Sequence, residues 1–203
     1  SGNRLELRMK ATPEERIFGF GQQLTHLNVK GRQIPVLSQE PGIGRGVQPL
    51  TWLMNTFFKA GGEWHNTNAP AAWFMSSERV GFGHGNTEYS IFDFRDPHFS
   101  TCQLFGSSLN AVLVAGDTPA SILESYTLNC GRMPALPDWI HQGAIVGMQG
   151  GTEAVRALWS KLKDEKAAIS AFWLQDWVGA RTTSIGKQLW WNWELDHDRD
   201  PDW

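Results

Sequence analysis

The fold is decided by the stretch GAIVGMQGGTEAVRALWSKLKDEKAAISAFWLQDW, residues 143–177. It contains a short apolar run, AIVGM, then a segment in which apolar and charged residues mix, then a second apolar run, AISAFWL. In the middle segment Val155, Leu158, Trp159 and Leu162 recur at helical intervals and share one face. Strand, amphipathic helix and strand form a βαβ unit, so we predict the opening of a parallel sheet or barrel.

Residues 4–116 carry a different pattern, in which short strands are divided by turn residues. The runs LELRM and YSIFDF alternate apolar and polar residues, AVLVAG is a short run that we expect to be buried, and PGIGRG and AGGEWHNTNAP mark turns. This pattern predicts an all-β sandwich. After it, Asp117-Thr118-Pro119 signals the start of a helix and Gly131 signals its end.

The domain boundary is expected in the proline-containing connector RMPALPDW. We predict an N-terminal β-sandwich domain with a closing helix over residues 1–136, and the start of an α/β domain over residues 137–203. The final stretch, ELDHDRDPDW, has no pattern of a finished element, so we expect the chain to be a fragment.

Composition excludes several classes of function. A formal net charge of -3 with scattered Lys and Arg argues against nucleic acid as a partner. No apolar run approaches the roughly 18 residues of a membrane span, so no membrane segment is predicted.

Cys102 and Cys130 fit neither a disulfide framework nor a zinc site and are predicted as buried thiols. The histidines lack metal-ligand spacing, and no metal or organic cofactor is expected.

One acidic stretch resembles the start of a calcium loop. Asp196, Asp198 and Asp200 alternate as in an EF-hand, but Pro201 stands where that loop needs a glycine. We therefore predict a solvated acidic loop instead of a calcium site.

Tryptophan is the compositional anomaly, with 11 residues in a chain of 203. Trp buries much apolar area, so a large core would explain the number. Sugar binding would also explain it, because flat rings stack on the apolar faces of pyranosides. Composition leaves both explanations open.

Polar side chains follow both apolar runs of the predicted βαβ unit. Gln149 comes directly after the first run, and Gln175 and Asp176 come directly after the second. In α/β sheets and barrels, ligands bind at the carboxyl ends of the strands. A single Gln there could simply cap backbone groups. Two Gln residues at equivalent places favour a polar binding site.

Two long motifs bear a resemblance to a known family. IVGMQGG, paired with QDW-x-G-x-R-x-TS-x-GK, resembles the sulfoquinovosidase-like branch of glycoside hydrolase family 31, and SQEPGIGR (38–45) is similar to a loop of that branch that reaches over the active site. The resemblance implies a β-sandwich followed by a (β/α)8 TIM barrel, of which this chain holds about the first two strands. It also implies retaining hydrolysis of an α-glycoside by two aspartates. Those aspartates follow later barrel strands, so no catalytic residue is assigned, and Asp176 is not the nucleophile.

The resemblance also implies a set of sugar-binding residues. Gln149, Gln175, Gln188 and Trp191 match positions that line the glycone site, and Glu40 matches a carboxylate that bonds sugar hydroxyls. The expected partner is therefore a carbohydrate.

Position 188 departs from the family pattern, which places Arg there. Gln188 keeps hydrogen-bond donors but has no positive charge, so we favour a neutral α-hexoside, a glucoside, over a sulfonated sugar. Lys187 or Arg181 could supply the missing charge instead.

Two rival functions remain open at this point. A Trp-rich sandwich could be a non-catalytic carbohydrate-binding module, although such a module has no use for a βαβ unit. A lyase or a transglycosidase could be built on the same scaffold.

Overall fold

The computed structural model describes residues 2–23, 25–184 and 186–201. They form two compact units, one ending at Arg132 and the other beginning at Met133. The strands are β1 (Leu5–Lys10), β2 (Ile17–Gly21), β3 (Gln33–Val36), β4 (Pro70–Ser76), β5 (Val80–His84), β6 (Ser90–Asp93), β7 (Phe99–Leu104), β8 (Ala111–Ala115), β9 (Ala144–Met148), β10 (Ile169–Leu174), β11 (Ala180–Thr183) and β12 (Gly186–Leu189). The α-helices are α1 (Leu50–Phe58), α2 (Pro119–Cys130) and α3 (Thr152–Asp164), and a short 3-10 helix spans Asp138–His141.

The first unit is mostly sheet. Two four-stranded antiparallel sheets have the orders β1-β7-β6-β3 and β2-β4-β5-β8. Residues of both sheets meet in one core, in which Phe20 and Phe74 of one sheet pack with Phe92 of the other. The Phe20 and Phe92 ring centroids lie 5.1 Å apart in an edge-to-face arrangement, which aromatic pairs prefer. The core therefore lies between the two sheets.

The edge strand β8 is more exposed than the sequence predicts. The run AVLVAG does form a strand, but its residues alternate between exposed and half-buried, and Leu113 is 68% exposed. The prediction that this run is buried is wrong, because β8 lies at the edge of its sheet.

Helix α2 confirms the predicted start and end signals. Thr118 is its N-cap, and the Thr118 and Ser121 side chains form a reciprocal capping box. This arrangement satisfies backbone N–H groups that would otherwise lack partners in the first turn. Tyr126 of the helix stacks on Trp73 of β4, with ring centroids 3.8 Å apart.

Helix α1 lies in a region where the sequence predicted only strands and turns. The Thr51 hydroxyl, which is buried, accepts a hydrogen bond from Gly46 N–H at 3.0 Å, and the Gln48 side chain accepts one from Trp52 N–H. The preceding loop therefore fixes the start of the helix. The helix is only nine residues long, too short for its period to stand out among the surrounding turn residues.

The second unit contains the predicted strand, helix and strand. β9 and β10 pair in parallel, as predicted, and α3 connects them. Trp159 of α3 contacts Phe172 of β10 edge to face. Both strands are only partly buried, since Met148 is the buried residue of β9 and Trp173 of β10 is 67% exposed.

The two cysteines differ from each other. Cys102 is buried in the core, as predicted, and burial raises the pKa of its thiol to about 12. Cys130 is exposed at the end of α2, so the prediction of a second buried thiol is wrong. Among the described residues, no helix is long and apolar enough to cross a membrane.

Candidate functional site

The two glutamines at the strand ends contact each other directly. Met148 and Leu174, the last residues of β9 and β10, are paired in register, so the next residues, Gln149 and Gln175, leave the sheet side by side. Gln149 Nε2 donates a hydrogen bond to Gln175 Oε1 at 2.9 Å, and both residues are exposed. We call these two side chains the amide pair. The bond uses one amino group and one carbonyl, which leaves the Gln149 carbonyl and the Gln175 amino group for other partners.

Asp176, which directly follows Gln175, is buried. It is 3% exposed, and its Oδ2 accepts hydrogen bonds from Gly150 N–H and from Arg199 Nε, each at 2.8 Å. The Arg199 Nη2 atom lies 2.5 Å from the same oxygen. One carboxylate thus connects the loop after β9 with the loop after β10. Its contacts are those of a structural anion, and the expectation that Asp176 is not a nucleophile stays a prediction.

The acidic stretch near residue 200 packs on the start of α3. The Thr152 hydroxyl donates to Asp200 Oδ1 at 3.0 Å, and Thr152 N–H donates to the Arg199 carbonyl at 3.2 Å. Asp200 is buried, and the Asp196 carboxylate accepts a hydrogen bond from Arg199 N–H. The prediction of a solvated acidic loop is therefore wrong for Asp196 and Asp200, whereas Asp198 is exposed. Among the described residues, no group of His, Cys, Asp and Glu is arranged to hold a metal ion.

Gly151 allows this close packing. Its φ is +82°, and a Cβ added to it would lie 2.5 Å from the Arg199 carbonyl oxygen. Such a distance is far below any real carbon–oxygen contact. The turn between β9 and α3 therefore needs glycine for its backbone conformation and for its lack of a side chain.

Replacing Gly151 with alanine is expected to lower the free energy of unfolding by about 2–4 kcal/mol, because a positive φ and steric overlap each contribute. Gly186 is the matched control, since its φ is +104° and no atom lies within 4 Å of an added Cβ. Gly186→Ala should lose only the backbone part, about 1–2 kcal/mol. Urea denaturation of both variants measures the difference, and equal losses would rule out the steric part.

The β11–β12 hairpin carries Gln188. In its antiparallel register Gln188 lies directly opposite Arg181, and Lys187 lies opposite Thr182. Opposed residues share a face of the ribbon, whereas the next pair points to the other face. Arg181, not Lys187, therefore shares a face with Gln188. The Arg181 guanidinium lies 4.5 Å from the centre of the Trp190 ring.

Trp191 follows this hairpin and is 53% exposed. Its ring lies 6.3 Å from that of Trp193, which lies 6.3 Å from the ring of Trp177. The ladder of the hairpin extends one pair beyond the strands, because Trp190 N–H donates to the Gly179 carbonyl at 3.2 Å. Within the described residues, no hydrogen bond joins Gln188 or Trp191 to the amide pair.

Glu40 belongs to the first unit and lies in the loop that precedes α1. It lines an open depression of about 670 Å³ together with Gln39, Lys59 and Asn66. The Asn66 side chain donates to the Glu40 carbonyl at 3.4 Å. Arg45 fixes the same loop by donating to the backbone carbonyls of Trp64 and Asn66. The carboxylate is thus carried by an ordered loop.

The chain is similar to known proteins over almost its whole length. It is 36% identical over 200 residues to a sulfoquinovosidase from Agrobacterium fabrum and 34% identical over 200 residues to one from Escherichia coli K12. Each alignment covers 98% of this chain and 30% of the relative, so the chain spans about 30% of the length of these relatives. No protein-family model matches the chain.

Solved structures show the same similarity. A family 31 sulfoquinovosidase from E. rectale, in complex with an aza-sugar inhibitor, has a TM-score of 0.89 at 37% identity, over 98% of this chain and 30% of its own. A family 31 dextranase from Flavobacterium johnsoniae has a TM-score of 0.74 at 15% identity, over 98% of this chain and 22% of its own. The second likeness concerns the fold alone.

Proposed function

We propose that this chain, whose resemblance to glycoside hydrolase family 31 is confirmed by the sulfoquinovosidase relatives, is part of a retaining α-glycosidase. In this proposal residues 1–136 form the β-sandwich domain, and residues 137–203 contribute the first two strands of a (β/α)8 barrel. The attacking and the proton-donating aspartates would lie on parts of the protein outside this chain. The chain would then supply sugar-binding residues instead of catalytic ones.

The amide pair is the observation that carries this proposal. Gln149 and Gln175 present a carbonyl and an amino group at the carboxyl ends of neighbouring parallel strands, which is where barrels bind their ligands. A fixed acceptor beside a fixed donor suits sugar hydroxyls, which both donate and accept hydrogen bonds. The exposed Trp191 would cover an apolar edge of the ring, and Gln188 would bond a further hydroxyl. The role of Glu40, which belongs to the first unit, stays a prediction from the family resemblance.

The substrate proposed first is a neutral α-hexoside, and a glucoside is favoured. Gln188 offers a neutral amide, and a hydrogen bond to a charged group contributes about 1.5–3 kcal/mol when the partner is suitable. With a sulfonate, the neutral Gln188 amide would supply neither an opposite charge nor the two-pronged contact of an Arg side chain. The second candidate is a sulfonated sugar, which the names of the relatives and the position of Arg181 opposite Gln188 favour.

The direct test uses the longest protein that contains this chain, assayed with an aryl α-glucoside and an aryl α-sulfoquinovoside. We expect release of the aglycone from the glucoside and an α-anomer as the first product in proton NMR spectra, since the mechanism is retaining. Glycan binding without hydrolysis would support the carbohydrate-binding module, and a product without solvent oxygen at the anomeric carbon would support a lyase or a transglycosidase.

Introducing a charge at position 188 is expected to change specificity. Gln188→Arg should raise kcat/KM for the sulfonated substrate by about 10- to 100-fold, the equivalent of one charge-assisted hydrogen bond. Thr182→Arg is the matched control, because it adds the same charge on the other face of the hairpin. If wild-type protein already prefers the sulfonated substrate and Arg181→Met abolishes that preference, the glucoside assignment is wrong.

A further inference from the structure

We infer that Asp176 and Arg199 are positioning residues, which hold the amide pair in the geometry that binds the glycone. The inference rests on the proposed function for the meaning of the amide pair. Neither residue is exposed at the strand ends as the glutamines are. Both would act on the substrate only through Gln149 and Gln175.

The position of Asp176 in the chain connects it to both glutamines. It directly follows Gln175, and its carboxylate accepts a hydrogen bond from Gly150, which directly follows Gln149. The backbone on both sides of the amide pair is therefore tied to a single oxygen atom. A shift of Asp176 would move the two loops relative to each other and would alter the 2.9 Å bond between the glutamines.

The buried carboxylate of Asp176 has Arg199 as its partner. Asp176 lies 3% exposed, and an ion so far from water needs a partner. Arg199 provides two contacts to the same Oδ2 atom, from Nε and from Nη2. Two donors of the guanidinium group thus hold one oxygen of the carboxylate in place.

Arg199 is itself fixed by hydrogen bonds of its backbone. Its carbonyl accepts a hydrogen bond from Thr152 N–H, and its N–H donates to the Asp196 carboxylate. Gly151 packs against the same carbonyl, at a distance that excludes a side chain. The position of Arg199 is thus set by the start of α3, which also begins directly after the Gln149 loop. The contacts of Arg199 therefore connect Asp176 with the turn that follows Gln149.

A purely structural role would use the same contacts, so the test must separate the two roles. Asp200 provides the comparison, because it is similarly buried and accepts a hydrogen bond from the Thr152 hydroxyl, but within the described residues it has no hydrogen bond to Gly150. Asp176→Asn and Asp200→Asn should both lower the melting temperature. Only Asp176→Asn should disturb the amide pair.

The experiment is a pair of double-mutant cycles with Gln149→Ala in the longest protein that contains this chain. Asp176→Asn alone should lower kcat/KM for the preferred α-glycoside by about 10- to 100-fold, as misplacement of binding groups does. In the Gln149→Ala background the same substitution should lower kcat/KM by less than about twofold, because the effects of coupled residues are not additive. Asp200→Asn should have the same effect in both backgrounds.

A crystal structure of the Asp176→Asn variant gives a readout that does not depend on activity. We expect the Gln149 Nε2 to Gln175 Oε1 distance to lengthen beyond hydrogen-bonding range. An unchanged distance of 2.9 Å, or additive effects in the cycle, would overturn the inference. If Asp176→Asn does not fold, Arg199→Lys replaces it in both measurements. If only the proposed function is wrong, the wild-type protein will be inactive, but the hydrogen bond of the amide pair will still be lost in the Asp176→Asn variant.

Discussion

Replacing Lys30 with methionine is expected to lower the free energy of unfolding by about 3–5 kcal/mol, the usual effect of removing one partner from a buried ion pair. The Lys30 ammonium lies 3.5 Å from Glu15 Oε2, and the two side chains are only 11% and 7% exposed. The other oxygen of Glu15 accepts a hydrogen bond from the Ser76 hydroxyl. Without Lys30 the carboxylate would remain buried with no opposite charge beside it. Urea denaturation of the variant and the wild type measures the loss.

The control for this prediction is an exposed ion pair. Arg132 and Glu124 are 3.4 Å apart, with side chains 56% and 67% exposed, and Arg132→Met should change the free energy of unfolding by less than about 1 kcal/mol. Combining Lys30→Met with Glu15→Leu should recover most of the loss, because the double variant buries no charge. A loss for Lys30→Met no larger than that for Arg132→Met would contradict the assignment of a buried pair.

The parts of the fold that the sequence predicts best are those with strong local patterns. Helix α2 carries its own start signal in Thr118-Pro119, and α3 shows a clear helical period between two apolar runs. The β11–β12 hairpin was not predicted, because its strands, ARTT and GKQL, show no alternation of apolar and polar residues. Its strands are set by their pairing with each other, which no single strand encodes.

The candidate site also contains contacts that the sequence could predict and contacts that it could not. The neighbourhood of Gln149 and Gln175 could be predicted, because both follow strands whose ends must meet in a parallel pair. The contact between Asp176 and Arg199 could not, since 23 residues separate them and no period connects them. The Asp residues near 200 gave only the misleading signal of a calcium loop. Their packing depends on Gly151, whose role becomes visible only once its φ and its neighbours are known.

Replacing Gln175 with leucine is expected to lower kcat/KM for the preferred α-glycoside by about 30- to 150-fold. Leucine removes a donor for a substrate hydroxyl, a loss of about 1 kcal/mol, and also leaves the Gln149 amino group without its 2.9 Å acceptor inside the complex, a loss of about 1–2 kcal/mol. Steady-state kinetics of the longest protein that contains this chain measures the sum.

Gln142 provides the matched control for that substitution. It is an exposed glutamine of the same unit, but it precedes β9 and so lies at the amino end of the strand, away from the amide pair. Gln142→Leu should therefore leave kcat/KM within about twofold of wild type, as surface substitutions away from special contacts generally do. Gln175→Glu separates the two losses, because a carboxylate keeps an acceptor for Gln149 but has no amino group to donate to the sugar. Its kcat/KM should fall between those of Gln175→Leu and wild type, whereas equal values for Gln175→Leu and Gln142→Leu would remove Gln175 from the binding site.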